Sequence, residues 1–396
     1  MARPLVTAAT GRKPVPIRRS DRRTILAGTN LAPAELWGCM MAENPILSFF
    51  APDLTLVFDL GKYTSLRWRA KYFEPGEFEL HTSPDYFGLV KYGQIVLRDD
   101  RKDGAVVEGI QVQTGDLVIT GRFLAAKLAD AGVRDVYNIN GTIEAAMRKM
   151  VAEQYGRTQR TLSIKLPQAG GYTPTIQAQI SRKNLLTVTE ALARAGGLGY
   201  RVFADVDARC LYFEVYNGVD RTVRQEENNR VVFSDGVDDD GYNNVDDPKY
   251  TENYTNAKNY ALVYGEGEGD TRICVEVDET NGADRRELLV DARDLQQGDQ
   301  SAAEYRAALA QRGRDKLKEN QPTAALETGI KSTSQFAYMV DWQLGDIVTG
   351  QITAWGMETD QRITEVEEVY ESNALTVTPT LGTPAQEAYN LEDTIA

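Results

Sequence analysis

The stretch Tyr63-Thr-Ser-Leu-Arg-Trp-Arg-Ala-Lys-Tyr-Phe-Glu-Pro-Gly-Glu-Phe-Glu-Leu-His81 alternates apolar and charged residues twice, with Pro75-Gly76 between the two runs. Leu66, Trp68, Ala70 and Tyr72 share one face of the first run, and Arg67, Arg69 and Lys71 share the other. In the second run Phe78 and Leu80 alternate with Glu77 and Glu79. Period-two alternation on both sides of a Pro-Gly turn predicts a β-hairpin with one buried face. A one-residue slip exchanges the two faces, so the turn must keep them in phase. A two-residue loop at Pro75-Gly76 sets Lys71 against Leu80. A three-residue loop, Glu74-Pro75-Gly76, sets Tyr72 against Phe78, Ala70 against Leu80 and Lys71 against Glu79, and is the register expected here, with Gly76 in the left-handed conformation.

Working outward, short strands are expected at 54–58, 94–98, 105–112 and 116–120, followed by a helix over 121–131. A second helix is expected over 142–155, capped by Asn140 or Thr142, and a third over 184–195, ended by Gly196-Gly197. Strands at 200–204 and 210–216 precede a polar loop over 235–247, which holds Asp238, Asp239, Asp240, Asp246 and Asp247. Strands at 259–264 and 271–277 flank Gly265-Glu-Gly-Glu-Gly269. A helix over 302–319 opens on Ser301 and Glu304 at capping-box spacing and contains Gly313, which weakens it by about 1 kcal/mol relative to alanine. The last strands fall at 347–352, 362–370 and 375–378, with Ser372-Asn373 as a turn. The fold class is therefore α+β and β-rich: two small β-barrel-like units, 53–131 and 258–382, around an α/β insertion at 132–257. An irregular arm, 1–52, precedes them and a tail, 383–396, follows.

The composition is that of a soluble protein, 42% hydrophobic and 26% charged over 396 residues. There is no apolar run long enough to span a membrane, and no signal-peptide pattern, so a cytosol-like compartment is expected. The net charge is −14, yet residues 1–39 hold seven basic side chains against Asp21 and Glu35. The body is thus strongly acidic and unsuited to holding nucleic acid by phosphate neutralisation. Met40 or Met41 is an alternative translation start, which would remove the basic arm.

His81 is the only histidine, which excludes His-rich zinc sites and leaves little for Ser-His-Asp catalysis. It continues the charged face of the hairpin; a pairing in space with Cys210 or Cys274 has no local support. Cys39, Cys210 and Cys274 read as free thiols. Gly265–Gly269 carries two carboxylates and precedes a strand, so it reads as a turn and not as a phosphate cradle. The Asp-rich loop lacks EF-hand spacing and reads as solvated. No cofactor motif is present.

The hairpin residues Trp68, Tyr72, Glu74, Pro75, Gly76, Phe78 and Leu80 resemble a motif of the siphovirus tail proteins that form the hub of the tail tip. Three further stretches match that family in order. They are Gly121-Arg-Phe-Leu124; Val263–Gly269 with Asp284–Asp294; and Leu344-Gly-Asp-Ile-Val348, which contains Gly345 and Asp346, with Ile363-Thr-Glu-Val-Glu-Glu-Val-Tyr370. The resemblance covers 53–382. It implies a non-enzymatic virion protein, a homotrimer in which two tube domains per subunit surround a channel. It also implies contacts with the tail tube protein, the distal tail protein and the tape-measure protein, and DNA passing without specific binding. The alternatives are a cell-wall glycoside hydrolase built on a carboxylate pair, and a host-surface carbohydrate binder exposing Trp37, Trp68, Trp342 and Trp355. Trp68 is expected in the core.

Overall fold

A computed structural model of the chain describes residues 44–383 except 158, 237–242, 332–333 and 373. The acidic positions 238–240, the Met40 and Met41 starts, Trp37, Cys39 and the tail beyond 383 lie outside the described residues.

The architecture is organised by one thirteen-stranded sheet. Its order from one edge is Val245–Asn253, Thr323–Ile330, Ala374–Gly382, Met357–Glu371, Ser65–Lys71, Glu77–Thr82, Asp116–Phe123, Gly104–Gln113, Ile95–Arg98, Leu47–Phe50 and Leu56–Leu60. Ile347–Ile352 branches from Met357–Glu371 and carries Val232–Ser234 beside it. The β-rich α+β expectation holds, but the barrel-like units do not. The strand path runs open from edge to edge, and the two strand-rich regions share a single sheet. The join is antiparallel, with Lys71 opposite Glu365, Arg69 opposite Glu367 and Leu66 opposite Tyr370.

The hairpin exists with a different register. Trp68 faces Phe78, Leu66 faces Leu80 and Arg67 faces Glu79, and Lys71 faces Glu365 instead of Glu79. The displacement is by an even number of positions, so both faces keep their character. The physical reason is the third strand: the end of Ser65–Lys71 is held by Met357–Glu371, leaving Tyr72 and Phe73 free to turn away from Phe78. Gly76 does not take a left-handed φ. It is needed for close approach, because a β-carbon there would lie 2.3 Å from the Arg69 carbonyl oxygen and 2.9 Å from the Phe123 ring. Its own carbonyl accepts the Phe123 N–H at 2.7 Å.

Two boundaries change for similar reasons. Leu47–Phe50, inside the expected irregular arm, is a strand with all four residues buried between Leu56–Leu60 and Ile95–Arg98. Leu-Ser-Phe-Phe is too short to show a sustained alternation that would reveal it. The expected helix from Gly121 is instead the end of strand Asp116–Phe123 followed by a 3-10 helix, Leu124–Asp130. Gly121 belongs to the sheet because a β-carbon there would lie 1.8 Å from the Val106 carbonyl oxygen. The strand expected at 54–58 falls at Leu56–Leu60, and Val245–Asn253 takes Asp246 and Asp247 out of the expected loop.

The middle region holds helices α1 (Ile143–Met150) and α2 (Leu185–Gly196) over strands Gly199–Asp205, Cys210–Tyr216 and Ser163–Lys165. The Thr142 hydroxyl caps α1, and α1 runs on into a wider π-type turn, Val151–Tyr155. Asn184 caps α2 by accepting the Leu186 N–H at 3.0 Å, and Gly197 closes it at φ 62°. Helix α3 (Ala302–Glu319) packs on a separate three-stranded sheet, Tyr260–Tyr264 between Cys274–Asp278 and Glu287–Asp291. Its capping box is formed: Ser301 N–H donates to Glu304 Oε2 at 2.9 Å and Glu304 N–H to Ser301 Oγ at 3.3 Å. No helix among the described residues is long and apolar enough to cross a membrane.

A candidate assembly centre at the seam of the sheet

The seam lies where Ser65–Lys71 meets Met357–Glu371, and its chemistry is that of two complementary charge patterns. Arg67 and Arg69 alternate on one strand; Glu365, Glu367 and Glu368 lie on the other. Arg69 Nε donates to Glu365 Oε2 at 2.8 Å, and Arg67 Nε lies 3.2 Å from Glu367 Oε1. The more exposed pair contributes little; the weight falls on the buried groups.

Among these is Arg98, whose side chain is fully buried. It donates from Nε to Asp100 at 2.9 Å, from Nη1 to Glu368 Oε2 at 3.2 Å and from Nη2 to Tyr370 Oη at 2.8 Å. Its guanidinium carbon lies 5.4 Å from the Trp68 ring centroid and 5.1 Å from that of Tyr370. Arg101 Nη2 donates to the other Glu368 oxygen at 2.8 Å. Burial works against the Arg98 charge, but the Asp100 hydrogen bond and the Glu368 carboxylate outweigh it and raise its affinity for the proton. Both Trp68 and Glu368 are thus committed to the seam, from opposite ends of the chain.

Tyr72 leaves the hairpin at the seam and enters a socket made from four other segments, at 197–199, 217, 345 and 362. Its hydroxyl donates to the Gly197 carbonyl at 3.2 Å, and Asn217 Oδ1 lies at the same distance. Arg362 Nη1 donates to Tyr72 Oη at 3.3 Å and to the Gly345 carbonyl at 2.5 Å. A β-carbon on Gly199 would lie 2.4 Å from the Tyr72 ring, and one on Gly345 2.3 Å from it, with Gly345 at φ +96°. Asp346 then ties this loop to the linker leaving Cys210–Tyr216. It accepts the Val219 N–H at 2.8 Å, the Gln343 N–H at 3.0 Å and Arg221 Nε at 2.8 Å.

Tyr72, Gly345 and Asp346 are therefore brought together, while Trp68, Phe78 and Leu80 lie in the adjoining core. Glu74 sits 3.0 Å from Lys71 Nζ, and Pro75 and Gly76 make the connection between the hairpin strands. Sequence reading missed Arg98, Asn217 and Arg362. The Arg-x-Arg and Glu-x-Glu-Glu patterns carried a readable sign of strand pairing; the other three had none.

Elsewhere, His81 Nδ1 lies 2.9 Å from Asp116 Oδ2 and Nε2 lies 3.3 Å from Glu79 Oε1, so both ring nitrogens are engaged with carboxylates. Burial opposes its charge, but the Asp116 and Glu79 hydrogen bonds raise its pKa above 6.5. Cys210 is buried and Cys274 half-buried. Trp68 and Trp342 are buried, and Trp355 is half-exposed. Among the described residues no group of His, Cys, Asp and Glu is placed to hold a metal ion.

The family described as Siphovirus ReqiPepy6 Gp37-like protein matches residues 46–383. The chain belongs to this family. The match takes in the seam, the Tyr72 socket and the strand Leu47–Phe50. No curated protein sequence matches the chain. Among solved structures, this Gp37-like chain is similar to the tail protein from Neisseria meningitidis MC58, at TM-score 0.55 and 14% identity, covering 86% of this chain and 97% of that one. It is similar to the 43 kDa tail protein of prophage MuSo2 from Shewanella oneidensis, at TM-score 0.54 and 13% identity, covering 87% and 100%. It is also similar to prophage tail protein gp18 from Listeria monocytogenes EGD-e, at TM-score 0.51 and 15% identity, covering 87% and 95%. The fold of this family member is that of phage tail proteins.

Proposed function

We propose that the chain is a structural, non-enzymatic subunit of the tail-tip hub of a long-tailed phage or prophage particle. The observation that carries this reading is that one fold, shared with tail proteins over 95–100% of their lengths, accounts for most of the chain. In the proposed assembly three copies form a ring around the DNA channel, contacting the tail tube protein, the distal tail protein and the tape-measure protein. Two features favour it. The outer edges of Leu56–Leu60 and Val245–Asn253 end the open sheet, and exposed strand edges are covered by neighbouring subunits when heterologous contacts close into a ring. The net charge of −14 suits a conduit through which DNA slides without adhering.

The direct test is to label purified particles with an antibody to this chain and view them by electron microscopy. Label confined to the tip agrees with a hub. Label spread along the tail, or absent from intact particles, contradicts it.

A further inference from the structure

A shallow pocket of about 840 Å³ lies where the edge strand Val245–Asn253 meets the turn between Ile347–Ile352 and Met357–Glu371. Tyr250 and Met357 line it, both half-buried and packed against the core cluster that holds Phe233 and Trp342. Trp355, half-exposed, completes its apolar surface.

The turn that carries Trp355 is pinned at both ends. Thr353 N–H donates to Asp235 Oδ1 at 2.6 Å, and Gly356 closes the 3-10 turn Thr353–Trp355 at φ 60°, its N–H donating to the Thr353 carbonyl at 3.1 Å. The indole is nevertheless uncommitted. Among the described residues no ring or cation stacks on it and no acceptor meets its Nε1–H. Trp68 and Trp342, by contrast, are each packed against other aromatic rings.

Three charged side chains surround this indole, Lys249, Glu252 and Glu358. Lys249 Nζ lies 3.3 Å from Glu327 Oε1, and Glu358 Oε1 lies 3.9 Å from Arg224 Nη2. Glu252 Oε1 accepts the Tyr250 hydroxyl at 2.5 Å, while its Oε2 accepts nothing from the described residues. Lys249 disfavours a cation here and Glu252 an anion, so a neutral ligand is favoured.

The pocket therefore sets a flat apolar face beside a free acceptor oxygen. A pyranose ring has the matching two-sided chemistry, with C–H bonds on its faces and hydroxyls at its edge, and the electron-rich indole face attracts the slightly positive C–H hydrogens. Pockets of this size bind small molecules through apolar surface with a few placed polar groups. A protein partner fits less well, because the cores of protein interfaces are depleted of charged side chains.

We propose that the pocket binds a neutral oligosaccharide, one pyranose ring stacking on Trp355 and its hydroxyls donating to Glu252. The site adds a ligand to the structural role of the chain and does not depend on the hub reading.

The test is to probe the full chain against an array of neutral tetrasaccharides of glucose, galactose, mannose and N-acetylglucosamine, with uronate and sialylated members as the acidic set. The best neutral member is then titrated by calorimetry into the parent, Trp355→Ala and Glu252→Ala. Binding to neutral members is expected, weakened about tenfold by Trp355→Ala and several-fold by Glu252→Ala. Both positions are exposed, so urea midpoints are expected to stay at the parent's, which separates loss of ligand from loss of fold. No binding to any neutral member overturns the proposal, as does binding confined to acidic members or binding that Trp355→Ala leaves intact. A lower molar mass for Trp355→Ala, with no saccharide bound by the parent, would make a second copy the occupant and also overturns it.

Discussion

The Tyr72 ring lies where a β-carbon on Gly345 would have to sit, the nearest ring atom being 2.3 Å from that position. Two residues from opposite strand-rich regions are in this way fitted to each other, and Gly345 also holds a φ of +96° that side-chain-bearing residues rarely adopt. Gly345→Ala is expected to cost about 1–3 kcal/mol from backbone strain alone, with the steric conflict against Tyr72 added. Tyr72→Phe keeps the ring and loses the hydroxyl's bonds to Gly197 and Arg362, an expected loss of about 1 kcal/mol. Urea midpoints at constant m check both. Gly345→Ala as stable as the parent would refute the fit.

The buried Arg98–Glu368 pair gives a second prediction. Glu368→Ala leaves Arg98 and Arg101 without the carboxylate that both contact and is expected to destabilise by about 3–5 kcal/mol. Arg67→Ala, at the exposed end of the same seam, is expected to change stability by less than about 1 kcal/mol. Equal losses from the two would show that burial is not what gives the seam its strength.

Gly313 makes a third. On an isolated helix Gly→Ala gains about 1 kcal/mol. In α3 the new methyl would lie 2.7 Å from Val277 Cγ2 and 2.8 Å from Val263 Cγ2, and valine side chains are stiff. Gly313→Ala is therefore expected to lower the thermal midpoint, the opposite of what propensity alone predicts.

Glu190 on α2 predicts a pH dependence. Burial, with Glu74 nearby, pushes its pKa from the ordinary 4.5 up to about 7. The folded state then binds this proton more tightly than the unfolded state. The contribution is fully present below pH 4.5, falls as pH rises to about 7 and stays flat above that. Glu190→Gln should remove this slope and make the protein more stable than the parent above pH 7, by up to ~3 kcal/mol. Parallel stability curves for the two proteins from pH 4.5 to 8 would contradict the assignment.

Much of the fold was legible where one local rule acted alone. The capping box at Ser301 and Glu304, the Gly196-Gly197 stop after the helix from 184 and the alternation in Cys210–Tyr216 each name their element directly. Legibility failed where a distant strand decided. The hairpin register was set by Glu365–Glu371, not by Pro75-Gly76, and Gly76, Gly121 and Gly313 serve close approach and not turns or flexibility. At the seam, Tyr72, Gly345 and Asp346 were visible as motif residues. Their partners Arg362 and Asn217 were not, because nothing in the sequence around a lone arginine or asparagine announces a tyrosine hydroxyl from another region.

The proposed ring is tested most directly by the molar mass of the purified chain in solution, measured by light scattering across a concentration series, alone and with tail tube and distal tail proteins. A species of three times the 44.0 kDa chain mass is expected. A monomer at every concentration, with and without those partners, would contradict it.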